Sequence, residues 1–426
     1  MAIVSREILS GTAVSVIDQA MLSGLNLLIG LAIIRLGAKA DYGIYVQLFT
    51  LMLLAQGVQD ALINAPMVAM APKGRQRRLR AICAHLFRVQ FCMALALGGV
   101  ALLGLLAAAG PLDLEGLRHS VAVPFALAVI GQAAREYARD YSFLDLRPER
   151  VLLVDALYVG IVLAGLVTGA ALGRLHVEWV FAAVAVGGMV SGWWGLARSG
   201  LRPLHNHGRG WRILKEAWSL SRWALPSVVI WWVSNYAFIY IVAGLIGVLA
   251  AADVGAARLL LMPVGLCSVA WGNIFLPRAS RWIGQRAYGL VQRVAGWSCL
   301  GLAGLIGVYL AALLLAYPWL ERWVLGDEYS GLQPLAVAWA AYFAAAAFRN
   351  SGSQAMSAGA RYRDMFWYTL LGMVITVPLL VWMTTQVGVT GAVWAQALVE
   401  VVMGLVIWLH GWPRVRRMDA QPADDG

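Results

Sequence analysis

Six consecutive residues, Arg135-Glu136-Tyr137-Ala138-Arg139-Asp140, set two guanidinium groups and two carboxylates inside an otherwise apolar stretch. On a helix, Arg135 and Arg139 share one face, while Glu136 and Asp140 share another about 100° away. A guanidinium is a planar fork of N–H donors that matches phosphate oxygens. The Arg135/Arg139 face is therefore a candidate for holding an anionic substrate group. The structural alternative is that both side chains snorkel and pair with the neighbouring acids. Arg88, Arg258 and Arg349 also stand in apolar sequence and join the candidate substrate contacts. Arg88 lies ~10 Å from the end of its run by helix rise, so snorkelling is easy for it. For Arg349, followed by Asn350, an interface anchor is the competing reading.

Four acids are similarly placed: Asp18, Asp60, Asp155 and Glu400. A charged side chain at mid-bilayer costs roughly 2.5–3.5 kcal/mol, so each needs a partner, a wet cavity or a nearby interface. A carboxylate in low dielectric can carry a proton. These four are the candidates for H+ or Na+ coupling, with ion pairing between helices as the alternative.

Little else in the chain can do chemistry. Cys83, Cys92, Cys267 and Cys299 fall in no metal-ligand spacing and read as small buried hydrophobes. His205 and His207 sit in a polar loop without further donors, so no metal site is expected. There is no GxxxxGK[ST] phosphate loop and no Ser/His/Asp or Cys/His set. No enzymatic activity and no cofactor are expected.

The elements that carry these charges must live in lipid. The chain is 61% hydrophobic and 13% charged over 426 residues. Soluble domains hold about 45–50% apolar and about 25% charged residues. A spanning helix needs about 20 apolar residues, and about twelve runs can be drawn. They lie near 8–34, 42–65, 82–108, 121–143, 152–172, 178–197, 221–246, 254–276, 293–317, 332–350, 365–385 and 390–410. All must be helices, because open strands leave backbone groups unpaired in hydrocarbon. The first run is too long for a secretory signal core.

The net charge of +11 comes from the short segments between runs. With the N-terminus inside, only Arg35, Lys39, Arg118, Arg174, Arg258 and Arg322 of the 33 Lys and Arg fall outside. That excess predicts an N-in, C-in topology. Anionic lipid head groups are the expected counter-charge, and no nucleic acid is expected as a partner. The scarcity of Lys (Lys39, Lys73 and Lys215 alone) points to a GC-rich bacterial genome.

The longest basic inner segment divides the runs six and six. The expected organisation is a six-helix bundle over 1–200, a basic cytoplasmic linker over 201–220, a second six-helix bundle over 221–412 and a cytoplasmic tail over 413–426. A weak repeat agrees: Asp41-Tyr42-Gly43 recurs as Asp253-Val254-Gly255, and Pro66 recurs as Pro277. Each Asp is a candidate N-cap for the helix that follows. Small residues at four-residue spacing, Gly165/Gly169/Gly173 and Gly188/Gly192, predict close helix approach.

With that layout, the chain resembles the polysaccharide flippase branch of the multidrug/oligosaccharidyl-lipid/polysaccharide exporter superfamily. The matching segments are Arg35-Leu36-Gly37 running into Asp41-Tyr42-Gly43-Ile44-Tyr45, Asp253 to Arg258 leading through Pro263 to Leu276-Pro277-Arg278, and Gly388-Val389-Thr390-Gly391-Ala392. The resemblance implies two six-helix bundles around a central cavity in a bacterial cytoplasmic membrane. It implies movement of an undecaprenyl-diphosphate-linked oligosaccharide to the outer leaflet by alternating access, beside other membrane proteins of polysaccharide assembly. Two other readings stay open. One is a multidrug cation antiporter of the same superfamily, disfavoured by Arg pairs where such a cavity wants acids. The other is a membrane polymerase or glycosyltransferase, disfavoured by the small outward segments near 108–120 and 318–331.

Overall fold

In a computed structural model, residues 2–70, 76–109, 119–145, 147–201 and 210–418 are described. They form helices throughout, with no strand among the described residues. The helices are α1 (Ala2–Leu36), α2 (Lys39–Met70), α3 (Gln76–Ala109), α4 (His119–Leu144), α5 (Pro148–Ala171) and α6 (Val177–Ser199). They continue as α7 (Gly210–Leu245), α8 (Val248–Gly284), α9 (Tyr288–Leu325), α10 (Gln333–Ala358), α11 (Tyr362–Val387) and α12 (Val389–Arg416). Among the described residues, 10 of them are long and apolar enough to cross a membrane. The protein is a multi-pass membrane protein.

The two helices that fall short of that measure are α4 and α10. Each has 26 residues, ample length for a span. Their sequences are too polar: α4 holds Arg135 to Asp140, and α10 holds Arg349-Asn350-Ser351-Gly352-Ser353-Gln354. The reason lies in their surroundings. About half of each helix is buried against other helices, so protein rather than lipid solvates it.

The chain divides into two compact units, Met1–Val229 and Ile230–Gly426, with the division inside α7. Of the stretch read as a linker, 210–220 belongs to α7. Residues 202–209, with His205 and His207, and the tail beyond 418 lie outside the described residues.

In the first unit, α4 packs along α6 and α3, and α5 packs on α6 and α1. The α4–α6 crossing is nearly backbone on backbone. A Cβ on Gly188 would stand 2.6 Å from the Gly131 backbone, and one on Gly192 would stand 2.7 Å from the amide nitrogen of Arg135. Gly165 lies against Ala183 and Gly169 against Trp179, joining α5 to α6. Gly173 departs from this pattern: it follows the end of α5 and turns the chain at φ 62°.

In the second unit, α10 packs along α12, α8 and α9, and α11 packs on α12. Here Gly352 and Gly372 face side chains. A Cβ on Gly352 would meet the Ile407 side chain at 2.7 Å, and one on Gly372 would meet Met403 at 3.3 Å.

The N-cap expectation is corrected. The capping positions are Ala38 for α2 and Gly247 for α8, neither with a side-chain cap bond. The helices begin earlier than the apolar runs, so Asp41 falls in the first turn and Asp253 lies deeper still. Asp41 is buried, with Oδ2 3.2 Å from His176 Nδ1.

Pro66 has a local accommodation. It follows a π-turn, Asp60–Asn64, in which the Ala65 amide bonds to the Asp60 carbonyl five residues back. Proline cannot supply the N–H that the Leu62 carbonyl would otherwise accept. The Ser221 hydroxyl of α7 stands 3.3 Å from that carbonyl.

Candidate functional site

The first unit holds a buried charge cluster at the meeting of α1, α4 and α5. Arg135 extends from α4 on the backbone that Gly192 approaches. Its Nη1 donates to Asp155 Oδ1 at 2.5 Å, its Nη2 to Glu136 Oε1 at 2.5 Å, and its Nε to Gln132 Oε1 at 2.9 Å. Arg139, one turn on, donates to Glu136 Oε2 at 2.7 Å and to Asp18 Oδ2 at 3.0 Å. Its Nε lies 2.6 Å from Asp155 Oδ2. Arg135 is 5% exposed and Asp155 0%. Its guanidinium also stands 4.3 Å from the centroid of the Tyr158 ring, whose hydroxyl accepts from Gln132 Nε2 at 2.7 Å.

Two guanidinium groups thus meet three carboxylates. Each charge has a partner in reach, which is what burial of an ion requires. With all five ionised, one negative charge is left over. Asp18 Oδ1 accepts no hydrogen bond among the described residues. The substrate candidates Arg135 and Arg139 and the ion-coupling candidates Asp18 and Asp155 are therefore one network. Asp60, at the π-turn of α2, is outside these ion pairs among the described residues, and its Oδ1 accepts from Asn64 Nδ2 at 2.6 Å. Arg88, on α3, is half-buried and engaged with a partner.

The second unit contains a cavity of about 250 Å³ between α7, α10, α11 and α12. Arg349 of α10 and Glu400 of α12 form an ion pair at its wall. Aromatic faces come from Trp231, Tyr342 and Tyr368, and polar groups from Ser234, Asn235, Asn350, Ser353, Thr369 and Gln396. Gln396 lies one turn before Glu400 and is 3% exposed. Neither its Oε1 nor its Nε2 has a hydrogen-bond partner among the described residues.

Arg258 of α8 lies beside this cavity in an aromatic box. Its guanidinium carbon is 5.2 Å from the centroids of Tyr236 and Trp339 and 5.5 Å from that of Phe238. Trp339 packs edge-on against Tyr342 of the cavity wall, with ring centroids 5.1 Å apart. Trp339 is held in turn by an Nε1–H bond to the Val254 carbonyl at 3.1 Å. No carboxylate pairs with Arg258 among the described residues.

Gln132, Tyr158, Gln396 and Tyr342 were not candidates on sequence alone. The i, i+4 relation of Gln396 to Glu400 was the one signal available.

No family model matches the chain, and no curated protein matches its sequence. Solved structures do match in fold. An inward closed structure of the lipid II flippase MurJ aligns with a TM-score of 0.71 at 11% identity, over 96% of this chain and 90% of that one. An inward-facing multidrug resistance MATE family transporter of the MOP superfamily aligns with a TM-score of 0.69 at 15% identity, over 94% and 96%. A MOP superfamily transporter from Pyrococcus furiosus, noted for the reversed polarity of its binding pocket, aligns with a TM-score of 0.62 at 14% identity, over 97% and 96%. The chain shares the fold of these transporters.

Proposed function

We propose that the protein is a flippase, moving an undecaprenyl-diphosphate-linked oligosaccharide across a bacterial cytoplasmic membrane by alternating access, for surface polysaccharide assembly. Its fold, common to a lipid II flippase and to multidrug transporters, supports a transporter in general. The observation that favours an anionic substrate is Arg258. Its guanidinium carbon lies 5.2–5.5 Å from three ring centroids, and no acid among the described residues pairs with it. A guanidinium held on aromatic surface keeps its N–H edge for an anion, and a diphosphate is the anion of this substrate. Arg349 and Arg88 belong to the same proposed path. Arg135 and Arg139 reach it only through exchange of their carboxylate partners.

The surplus acid of the Asp18–Glu136–Asp155 cluster supports a coupling role for H+ or Na+, with Glu400 as the corresponding acid of the second unit. The same surplus favours the second reading, a multidrug cation antiporter. The N-in, C-in topology and the division into two six-helix bundles complete the proposal. Other membrane proteins of polysaccharide assembly are its expected partners.

Deletion of the gene tests it. The expected result is loss of surface polysaccharide with the lipid-linked unit accumulating on the inner face. Normal polysaccharide in that strain, together with increased sensitivity to cationic drugs, would replace the leading reading with the second.

A further inference from the structure

We infer that the cavity of the second unit is a subsite for one neutral, hydroxyl-rich ring of hexose size. The buried amide of Gln396 is the starting point. It is 3% exposed, and both its donor and its acceptor lack partners among the described residues. Buried polar groups left unpaired are costly, and the large majority in folded proteins have a partner. Gln396 lines the cavity, the nearest open space to its buried amide, so a turn of the side chain would bring both amide atoms to what the cavity holds.

The other walls narrow the chemistry. Arg349 and Glu400 neutralise each other, so the cavity presents no surplus charge to its occupant. The pair still offers guanidinium donors and carboxylate acceptors beyond the bond it makes internally. Asn350 and Ser353 add further groups of both kinds. Trp231, Tyr342 and Tyr368 provide aromatic faces. A sugar ring has this composition: hydroxyls around its edge that both donate and accept, and C–H faces that pack on aromatic rings.

Size agrees. Clefts for drug-sized ligands run about 300–1,000 Å³, and this one, at about 250 Å³, has room for a single ring and not for a chain. Assigning that ring to a lipid-linked oligosaccharide rests on the flippase reading. The subsite itself does not.

The test uses the full-length protein in lipid nanodiscs, free of sugar-based detergent. Intrinsic tryptophan fluorescence, to which Trp231 contributes from the cavity wall, is titrated with millimolar glucose, galactose, N-acetylglucosamine and rhamnose. At least one sugar should give a saturable change. Gln396→Leu keeps the size of the side chain and removes both hydrogen bonds, and it should weaken that binding about tenfold or more. Asn350→Ala should weaken it by a smaller factor, and it serves if Gln396→Leu does not fold. No saturable response to any of the four sugars would mean that water alone fills the cavity, and the inference falls. Wild-type affinity in Gln396→Leu overturns it as well. The polysaccharide phenotype is scored separately. Sugar binding without that phenotype removes the flippase reading and leaves the subsite; the phenotype without sugar binding does the reverse.

Discussion

The fourth helix of each set of six, α4 and α10, occupies the same place in chain order and solves the same problem in opposite ways. Both are too polar for lipid, and both are wrapped by neighbours. The α4–α6 crossing closes to backbone contact through Gly131, Gly188 and Gly192, and each charge of the cluster beside it has an opposite charge in reach. In the second unit Gly352 of α10 and Gly372 of α11 meet side chains of α12 instead, beside a cavity with one ion pair and an amide unpartnered among the described residues. Backbone contact excludes space; side-chain contact at the same position preserves it. The first unit looks built to hold charge in place and the second to admit something.

The sharpest way to break this contrast is Asp155→Leu. It removes the buried carboxylate that both guanidinium groups reach, and the expected loss is ~3–5 kcal/mol of stability, read as collapse of the folded, monodisperse species in thermal unfolding. No single second substitution should rescue it, because Arg135 and Arg139 share their acids. Arg349→Leu should cost less, about 1.5–3 kcal/mol, since Glu400 faces a cavity that can admit water. Adding Glu400→Leu should recover most of that loss, whereas equal instability of the double variant would place Arg349 in a larger network. Gly188→Ala should destabilise by about 1–3 kcal/mol through overpacking against the Gly131 backbone. Gly372→Ala, which meets only the flexible Met403, should stay within about 0.5 kcal/mol of wild type. Matching losses at the two glycines would erase the distinction between the crossings. Smallest in stability is Arg258→Lys, which keeps the charge and gives up the stacked fork. It should leave unfolding unchanged and slow flipping of a lipid-linked substrate about tenfold in proteoliposomes. An unchanged rate would remove Arg258 from the substrate path.

The helical, membrane-embedded character of the chain was legible because lipid imposes it on composition and run length alone. So were the charges of α4 and α10, since an Arg in an apolar run stands out by its insertion cost. Their partners were not legible. Arg135 pairs with Asp155 one helix later, and Arg349 with Glu400 two helices later, and periodicity within one helix says nothing about either. The close glycines of α6 were readable from their spacing, but their effect on Arg135 depends on which helix crosses there. Gln396 was hardest to see. An uncharged amide is common enough in a membrane helix to pass unnoticed, and only the packed structure shows that no described residue satisfies it. The misplaced N-caps have a simpler cause: helices start at the turn that precedes them, here Ala38 and Gly247, and not where the apolar residues begin.

The π-turn of α2 carries one residue more than an α-helical turn, and that residue sets rotational phase. Each residue of an α-helix advances about 100°. Removing one residue between Asp60 and Asn64 would let α2 wind regularly and swing everything beyond it by about that angle. Met67, 0% exposed, would leave the buried cluster it shares with Ile82 and Leu86. Deletions here should therefore be far less tolerated than substitutions, and Asp60 can change identity more freely than the chain can change length.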